Sequence, residues 1–182
     1  MSEENKSVYM LGAEDGLLMG PLMTAAIVLC GMSTYYAWVS IPALVCLFAV
    51  PVLAYFRLAY GYRKGGCRMS FSGLWLRGIC MFFFGSLILA AVVFVLLRWF
   101  DPGFVIHQID KSIEIYNSMG NKEMADTLAV VKKSEMLPTA LDMSLMLIYI
   151  AVFSGSILSL IYAAIIRRSN RNIVPPPYNP NI

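Results

Sequence analysis

Long apolar stretches alternate with short polar ones along the chain. Three stretches contain no Asp, Glu, Lys, Arg or His, and they cover residues 16–56, 78–97 and 143–166. A helix needs about 20 predominantly apolar residues to cross a bilayer. The second and third stretches fit one span each, whereas the first suits two spans joined by a tight turn near Ser40. The pattern predicts an all-α integral membrane protein with four transmembrane helices, at about 17–38, 41–59, 76–98 and 142–166.

The segment between the third and fourth predicted spans, residues 101–140, is polar but carries a helical pattern. Its apolar side chains recur three or four residues apart in two runs, Ile106, Ile109, Ile113 and Tyr116 and then Met124, Leu128 and Val131. Gly120 separates the runs, and Asn121 is a good N-cap for the second. We expect an extracytoplasmic helical hairpin, roughly 103–118 and 122–136. Its apolar face would lie on the bilayer, cover the bundle or meet a partner.

The composition is typical of a membrane protein, and the chain divides into three parts. Hydrophobic residues make up 59% of the chain and charged residues 14%, whereas soluble domains average about 45–50% and 25%. The N-terminal segment 1–15 is net acidic, unlike the basic start of a signal peptide. The membrane domain covers 16–168. The tail 169–182 is rich in proline, and its Pro-Pro-Pro-Tyr sequence has the form of a WW-domain ligand.

The distribution of charge predicts the orientation in the membrane. The stretch 54–78, which joins the second and third spans, has no acid and five basic side chains, Arg57, Arg63, Lys64, Arg68 and Arg77. The residues after the last predicted span add Arg167, Arg168 and Arg171, whereas residues 101–142 carry more acids than lysines. Because Lys and Arg are retained on the cytoplasmic side, both termini are expected in the cytoplasm. The cysteines agree, because none lies in the outer segment, where an oxidising compartment would favour a disulfide.

The basic loop contains a Gly65-Gly66 pair, but it does not form a phosphate-binding P-loop. That motif places its lysine after the glycines and between a strand and a helix, whereas Lys64 precedes them here. The nearby aromatic residues are typical interfacial anchors, so nucleic-acid binding is not expected. The five basic side chains are instead predicted to contact lipid or a protein partner. The sequence leaves open whether they meet anionic headgroups in general, one lipid phosphate or a protein.

Few residues in the sequence point to catalysis, and we expect the protein not to be an enzyme. No ionisable residue lies in the interior of a predicted span, which argues against proton relays and ion-coupled transport. His107 is the only histidine, and no Ser, Cys or Thr comes with an evident base. His107 and Asp110 could form half of a metal site, but an exposed helical histidine is favoured. No metal and no cofactor are predicted.

Small residues repeat every four positions in the first and last spans. The two rows are Gly12, Gly16 and Gly20, followed by Thr24, and Ala151, Gly155, Ser159 and Ala163. Four-residue spacing places each row on one face of a helix, and small residues let membrane helices approach closely. We expect both rows to form helix interfaces. The sequence leaves open whether these lie within one chain or between chains.

The order of these features resembles a bacterial four-span inner-membrane family known as domain of unknown function 4199. The matching pieces are Arg57, Tyr62-Arg63, Gly65-Gly66, Ser70-Phe71, Gly78, Asp101-Pro102 and the segment GSILSLIYAAIIRR in the last span. The resemblance implies a location in the bacterial inner membrane and no assigned enzymatic activity. Members of the family are often found near genes for membrane-associated glycosyltransferases that act on polyprenyl phosphate.

Two functional hypotheses follow. The first is a non-catalytic accessory subunit that anchors a partner, with a polyprenyl-phosphate glycosyltransferase as the candidate that the resemblance implies. The second is a homo-oligomeric protein that handles lipids or neutral solutes, with the small-residue rows building the assembly. Membrane lipids are expected contacts in both cases. A groove able to hold an acyl chain would favour the second hypothesis, and a closed bundle would exclude it.

Overall fold

The protein is described here by a computed structural model that covers residues 7–64, 69–133 and 137–170. All regular secondary structure in this part of the chain is helical. It contains six α-helices: α1 Val8–Met32, α2 Ser40–Lys64, α3 Phe71–Val95, α4 Phe104–Ser118, α5 Lys122–Lys133 and α6 Ala140–Asn170. Four of them, α1, α2, α3 and α6, are long and apolar enough to cross a membrane. The predicted all-α membrane fold with four spans and a helical hairpin is confirmed.

Hydroxyl, amide and carboxylate side chains mark where the helices begin. Ser7 caps α1 by accepting from the Met10 amide, and Ser70 caps α3 by accepting from the Gly73 amide. At α6, the Thr139 hydroxyl accepts from the Asp142 amide, and the Asp142 carboxylate accepts from the Thr139 amide. Such reciprocal capping satisfies backbone donors that have no partner inside the helix. These caps define helix starts that hydropathy alone does not locate.

The first helix lies closer to the N-terminus than predicted. It starts at Val8 rather than near residue 17, and it ends at Met32 rather than near residue 38. The predicted start was placed at the first residue after the last charge, but α1 continues through Glu14 and Asp15. The expectation that no ionisable residue lies in the interior of a span is therefore wrong, because Asp15 is buried within α1.

Helix α3 lies at the centre of the bundle and packs against both α1 and α6. The glycine row of α1 faces it, since a Cβ on Gly16 would lie only 2.7 Å from the Met81 carbonyl oxygen and 2.7 Å from the Phe84 Cβ. The row on α6 faces it from another side, with Gly155 against the Phe82 ring and Ser159 against Gly78. Both rows are therefore occupied by contacts within one chain.

The two ends of the bundle differ in chemistry. The basic end holds the starts of α1 and α3 and the ends of α2 and α6, with Arg63, Lys64, Arg167 and Arg168. The hairpin end holds the α1–α2 turn and the hairpin formed by α4 and α5. All four spans contribute to the buried core, which includes Met19, Leu58, Leu74 and Ile166.

The hairpin contacts the bundle through α4. The Gln108 amide donates to the Thr34 hydroxyl at 3.0 Å, and the His107 ring stacks on Tyr35 with 4.9 Å between ring centroids. Asn121 accepts from the Met124 amide, so its predicted role as the N-cap of α5 is confirmed. The apolar face of the hairpin was expected on the bilayer, on the bundle or on a partner. These contacts favour the bundle, where α4 packs over the α1–α2 turn.

Candidate functional site

Three ionisable side chains from three different spans meet inside the bundle. Asp15 of α1 accepts from Arg57 of α2 through Oδ1, with an Nη2–Oδ1 distance of 2.8 Å. Its other oxygen, Oδ2, accepts from Arg77 of α3 at 2.9 Å from Nε and 2.6 Å from Nη2. We call this group the ion triad. It joins α1, α2 and α3, and it carries one carboxylate for two guanidinium groups.

Missing side chains on neighbouring helices make room for the ion triad. A Cβ on Gly61 would collide with the guanidinium of Arg77, and a Cβ on Gly12 would lie 2.9 Å from the Arg77 carbonyl oxygen. Glycine at position 61 therefore leaves space for the Arg77 guanidinium, and glycine at position 12 lets α1 approach the backbone of α3. The Asp15 side chain is 4% exposed and that of Arg77 is 7% exposed. The Arg77–Asp15 pair is thus an internal ion pair, of the kind that costs several kcal/mol per ion to desolvate.

Arg57 differs from Arg77 in exposure and in hydrogen bonding. Its side chain is 39% exposed, and one of its five N–H donors, on Nη2, bonds to Asp15. Its Nε atom is buried and finds no acceptor within the described ranges. Arg57 therefore presents a partly open guanidinium with donor capacity that the described protein groups do not use.

The other basic residues predicted to contact lipid or a partner lie apart from the ion triad. Arg63 and Lys64 are exposed in the last turn of α2. Arg68 lies outside the described residues. The predicted five-residue site is thus divided, because Asp15 binds Arg57 and Arg77 while Arg63 and Lys64 lie at the surface. Whether any of them contacts lipid stays a prediction.

The second feature of interest is an apolar groove at the hairpin end. It has a volume of about 450 Å³ and lies between α1, α3 and α6, with Phe104 of α4 beside it. Its wall includes Val28 and Gly31 of α1, Leu97 of the π-helical turn that ends α3, and Leu147 of α6. No residue of α2 contributes to its lining. The groove lies beside the last turns of α1, the end of α3 with its π-helical turn, and the first three turns of α6.

Polar side chains stand at the rim of the groove. The Tyr35 hydroxyl donates to Asp101 Oδ2 at 2.7 Å, and this hydrogen bond raises the pKa of the Tyr35 phenol above its ordinary value of 10.0. The Lys111 ammonium lies 5.5 Å from the centroid of the Tyr35 ring. The groove thus combines an apolar interior with a polar rim, as many ligand sites do.

Sequence reasoning missed Asp15 and the groove. The charge pattern assigns Asp15 to the N-terminal segment, because it starts the first span after the last charge. Seven-residue spacing places Asp15 and Leu22 on one helix face, so a helical reading from Val8 would have placed it among core positions. The described residues contain no group of three His, Cys, Asp or Glu that could hold a metal ion. His107 is half-buried against Tyr35 rather than freely exposed.

Comparison with known proteins assigns the family. No curated protein and no solved structure matches the chain. The family described as protein of unknown function (DUF4199) matches residues 14–168, which include the ion triad, the groove and all four spans apart from the first turns of α1 and the last residues of α6. The match covers most of the chain and agrees with the resemblance inferred from the loop and the last span. The chain belongs to the DUF4199 family.

Proposed function

We propose that the protein is a non-catalytic, lipid-binding membrane protein whose groove holds the acyl chain of a membrane lipid. The observation that carries this proposal is the groove of about 450 Å³ within the membrane-spanning region. Its volume lies in the range of about 300–1,000 Å³ that is usual for small-molecule sites. Of the two hypotheses from the sequence, the geometry favours the lipid-handling one.

Hydrocarbon is the occupant that fits the lining of the groove. A water molecule is held where two to four polar groups surround it, whereas the wall is built of Ile, Val, Leu, Met and Phe side chains. The polar groups, Tyr35 and Asp101, lie at the rim and bond to each other. An acyl chain would fill the interior without losing hydrogen bonds, and its headgroup would lie beside the rim near Lys111.

The test uses a substitution that fills the groove and the same substitution outside it. Leu147 is half-buried and lines the groove, whereas Leu44 is 54% exposed on α2 and does not. The full-length protein would be stripped of lipid in detergent, titrated with zwitterionic phosphatidylcholine and examined by native mass spectrometry. We expect Leu147→Trp to weaken phosphatidylcholine retention by about tenfold, because the indole occupies the volume of the chain. Leu44→Trp should bind like the unaltered protein.

Equal retention by both variants would contradict the proposal. The fold of each variant is checked by circular dichroism, so that a loss of binding in an unfolded protein is recognised. A crystal or cryo-EM structure in lipid that shows the groove empty would also contradict it.

An accessory role remains our second proposal, and the basic end supports it. Arg63, Arg167 and Arg168 are exposed there, so an acidic surface of a partner such as a polyprenyl-phosphate glycosyltransferase could bind. Purification of the tagged chain in mild detergent tests this proposal, and repeated recovery without a stoichiometric partner would contradict it. The homo-oligomeric form of the lipid hypothesis loses its main support, because the small-residue rows are used inside one chain.

We also propose that the protein resides in a bacterial cytoplasmic membrane with both termini in the cytoplasm. The support is the excess of Lys and Arg at the basic end, set against the acidic balance of the 101–142 segment.

A further inference from the structure

The three members of the ion triad carry a net positive charge. Asp15 carries one negative charge, and it contacts two guanidinium groups. Arg77 takes two of the three hydrogen bonds to the carboxylate and is 7% exposed, so a ligand has little access to it. Arg57 takes the remaining bond through one nitrogen. The uncompensated charge therefore resides on Arg57, at the accessible side of the triad.

The position of Arg57 along α2 places it at the depth of lipid headgroups. It lies seven residues before Lys64, the last residue of α2, which is about 10 Å along the helix axis. The whole span from Ala37 to Lys64 has 28 residues and is longer than the about 20 that cross the hydrocarbon. Arg57 thus lies near the boundary between acyl chains and headgroups, where arginine side chains extend towards phosphate.

The Nε atom of Arg57 also lacks an acceptor within the described protein. It is buried, and a buried donor without a partner is rare in proteins. A guanidinium presents its donors in a fixed fork that fits two oxygens of one phosphate. Because Nε is buried, an acceptor from the open side would contact the Nη atoms and would balance the charge.

We propose that the open side of the Arg57 guanidinium binds the phosphate of an anionic membrane lipid at the basic end. Asp15 orients Arg57 through the hydrogen bond to Nη2 and holds Arg77 in the interior. Asp15 and Arg77 therefore act as positioning residues. Arg63 and Lys64 contribute attraction to the anionic surface but no built site. The proposal assigns the phosphate contact to one of the five basic side chains, Arg57. It is independent of the groove, which lies at the opposite end of the bundle.

The experiment measures lipid binding by the full-length protein in nonionic detergent by native mass spectrometry, with dioleoylphosphatidylglycerol and dioleoylphosphatidylcholine as probes. We expect the unaltered protein to bind phosphatidylglycerol at least about tenfold more tightly, because a charge-assisted, bidentate contact forms with the phosphate. Arg57→Gln should remove most of this preference. Arg63→Gln is the matched control, the same substitution at an exposed site of the same helix end, and should cost at most about fivefold.

Equal losses in the two variants would overturn the proposal, because they would indicate a general surface field rather than a site. Displacement of phosphatidylglycerol by millimolar inorganic phosphate would show that the site takes free phosphate and would overturn the lipid assignment. If Arg57→Gln does not fold, Arg57→Lys keeps the charge beside Asp15 but not the fork. A severalfold loss of phosphatidylglycerol binding by folded Arg57→Lys supports the site, and unchanged binding overturns it.

Discussion

Replacing Asp15 by asparagine tests whether the ion triad holds three helices together. The change removes one negative charge with almost no change in volume. It leaves Arg77 buried without a counter-charge, and removing one partner of a buried ion pair costs about 3–5 kcal/mol. The amide oxygen of asparagine can still accept one of the hydrogen bonds, which favours the lower end of that range. Arg57, with 39% of its side chain exposed, adds little, because exposed ion pairs contribute about 0–1 kcal/mol. We therefore expect Asp15→Asn to lower the free energy of unfolding by about 3 kcal/mol.

The assay is reversible unfolding of the full-length protein in mixed micelles with rising dodecyl sulfate, followed by tryptophan fluorescence. The matched control is Asp110→Asn, the same substitution in the ion pair between α4 and α5. There the side chains of Asp110 and Lys132 are 47% and 38% exposed, so the cost should be about 0–1 kcal/mol. If the two variants lose the same free energy within about 0.5 kcal/mol, the ion triad does not stabilise the bundle and the reasoning is refuted. A double variant, Asp15→Asn with Arg77→Gln, should recover part of the loss, because the uncompensated buried charge is removed.

Three further predictions concern the packing, the hairpin turn and the orientation. Gly16→Ala should cost about 1–3 kcal/mol of unfolding free energy in the same assay, because its Cβ would lie 2.7 Å from the Met81 carbonyl oxygen. Gly31→Ala, on the same helix, meets nothing closer than 3.7 Å and should be neutral or stabilising. Gly120 has a φ of 76°, so Gly120→Ala should destabilise the α4–α5 hairpin by about 1 kcal/mol, seen as faster hydrogen exchange in α5, whereas Gly120→Asn should be tolerated. Cys67, which lies outside the described residues, should react with an impermeant maleimide only after the cytoplasmic side is opened. Labelling of intact cells that disappears in Cys67→Ser would contradict the proposed orientation.

The number and type of the membrane helices could be predicted from the sequence, because the apolar requirement of the bilayer leaves a strong signal. The charge-free stretches identify all four spans, and the spacing of apolar residues identifies the hairpin. The boundaries were less accurate where a charge lies inside a helix. At α1, the capping hydroxyl of Ser7 marks the start, and the charge of Asp15 does not end the helix, because arginines on α2 and α3 bind it.

The ion triad itself could not be predicted, because its three members are far apart along the chain. Asp15, Arg57 and Arg77 each lie near the end of an apolar stretch, where a charge normally faces the headgroups. Their meeting depends on the side-by-side placement of three helices, and on glycine at positions 12 and 61. Hydropathy and charge counts contain no information on that placement, so Arg57 and Arg77 were grouped with the surface residues Arg63 and Lys64.

The position of the groove follows from where the small-residue rows end. On α1 the row continues in steps of four from Gly20 through Thr24 to Val28, and on α6 it continues from Gly155 through Ala151 to Leu147. Steps of four stay on one helix face, so side chains on the faces that meet α3 grow larger towards the hairpin end. Where the rows consist of glycine, the backbones approach closely. Where Val28 and Leu147 replace the small residues, the helices are held apart by side chains that line the groove. The same two rows that close the bundle at the basic end and in its middle therefore leave it open at the hairpin end.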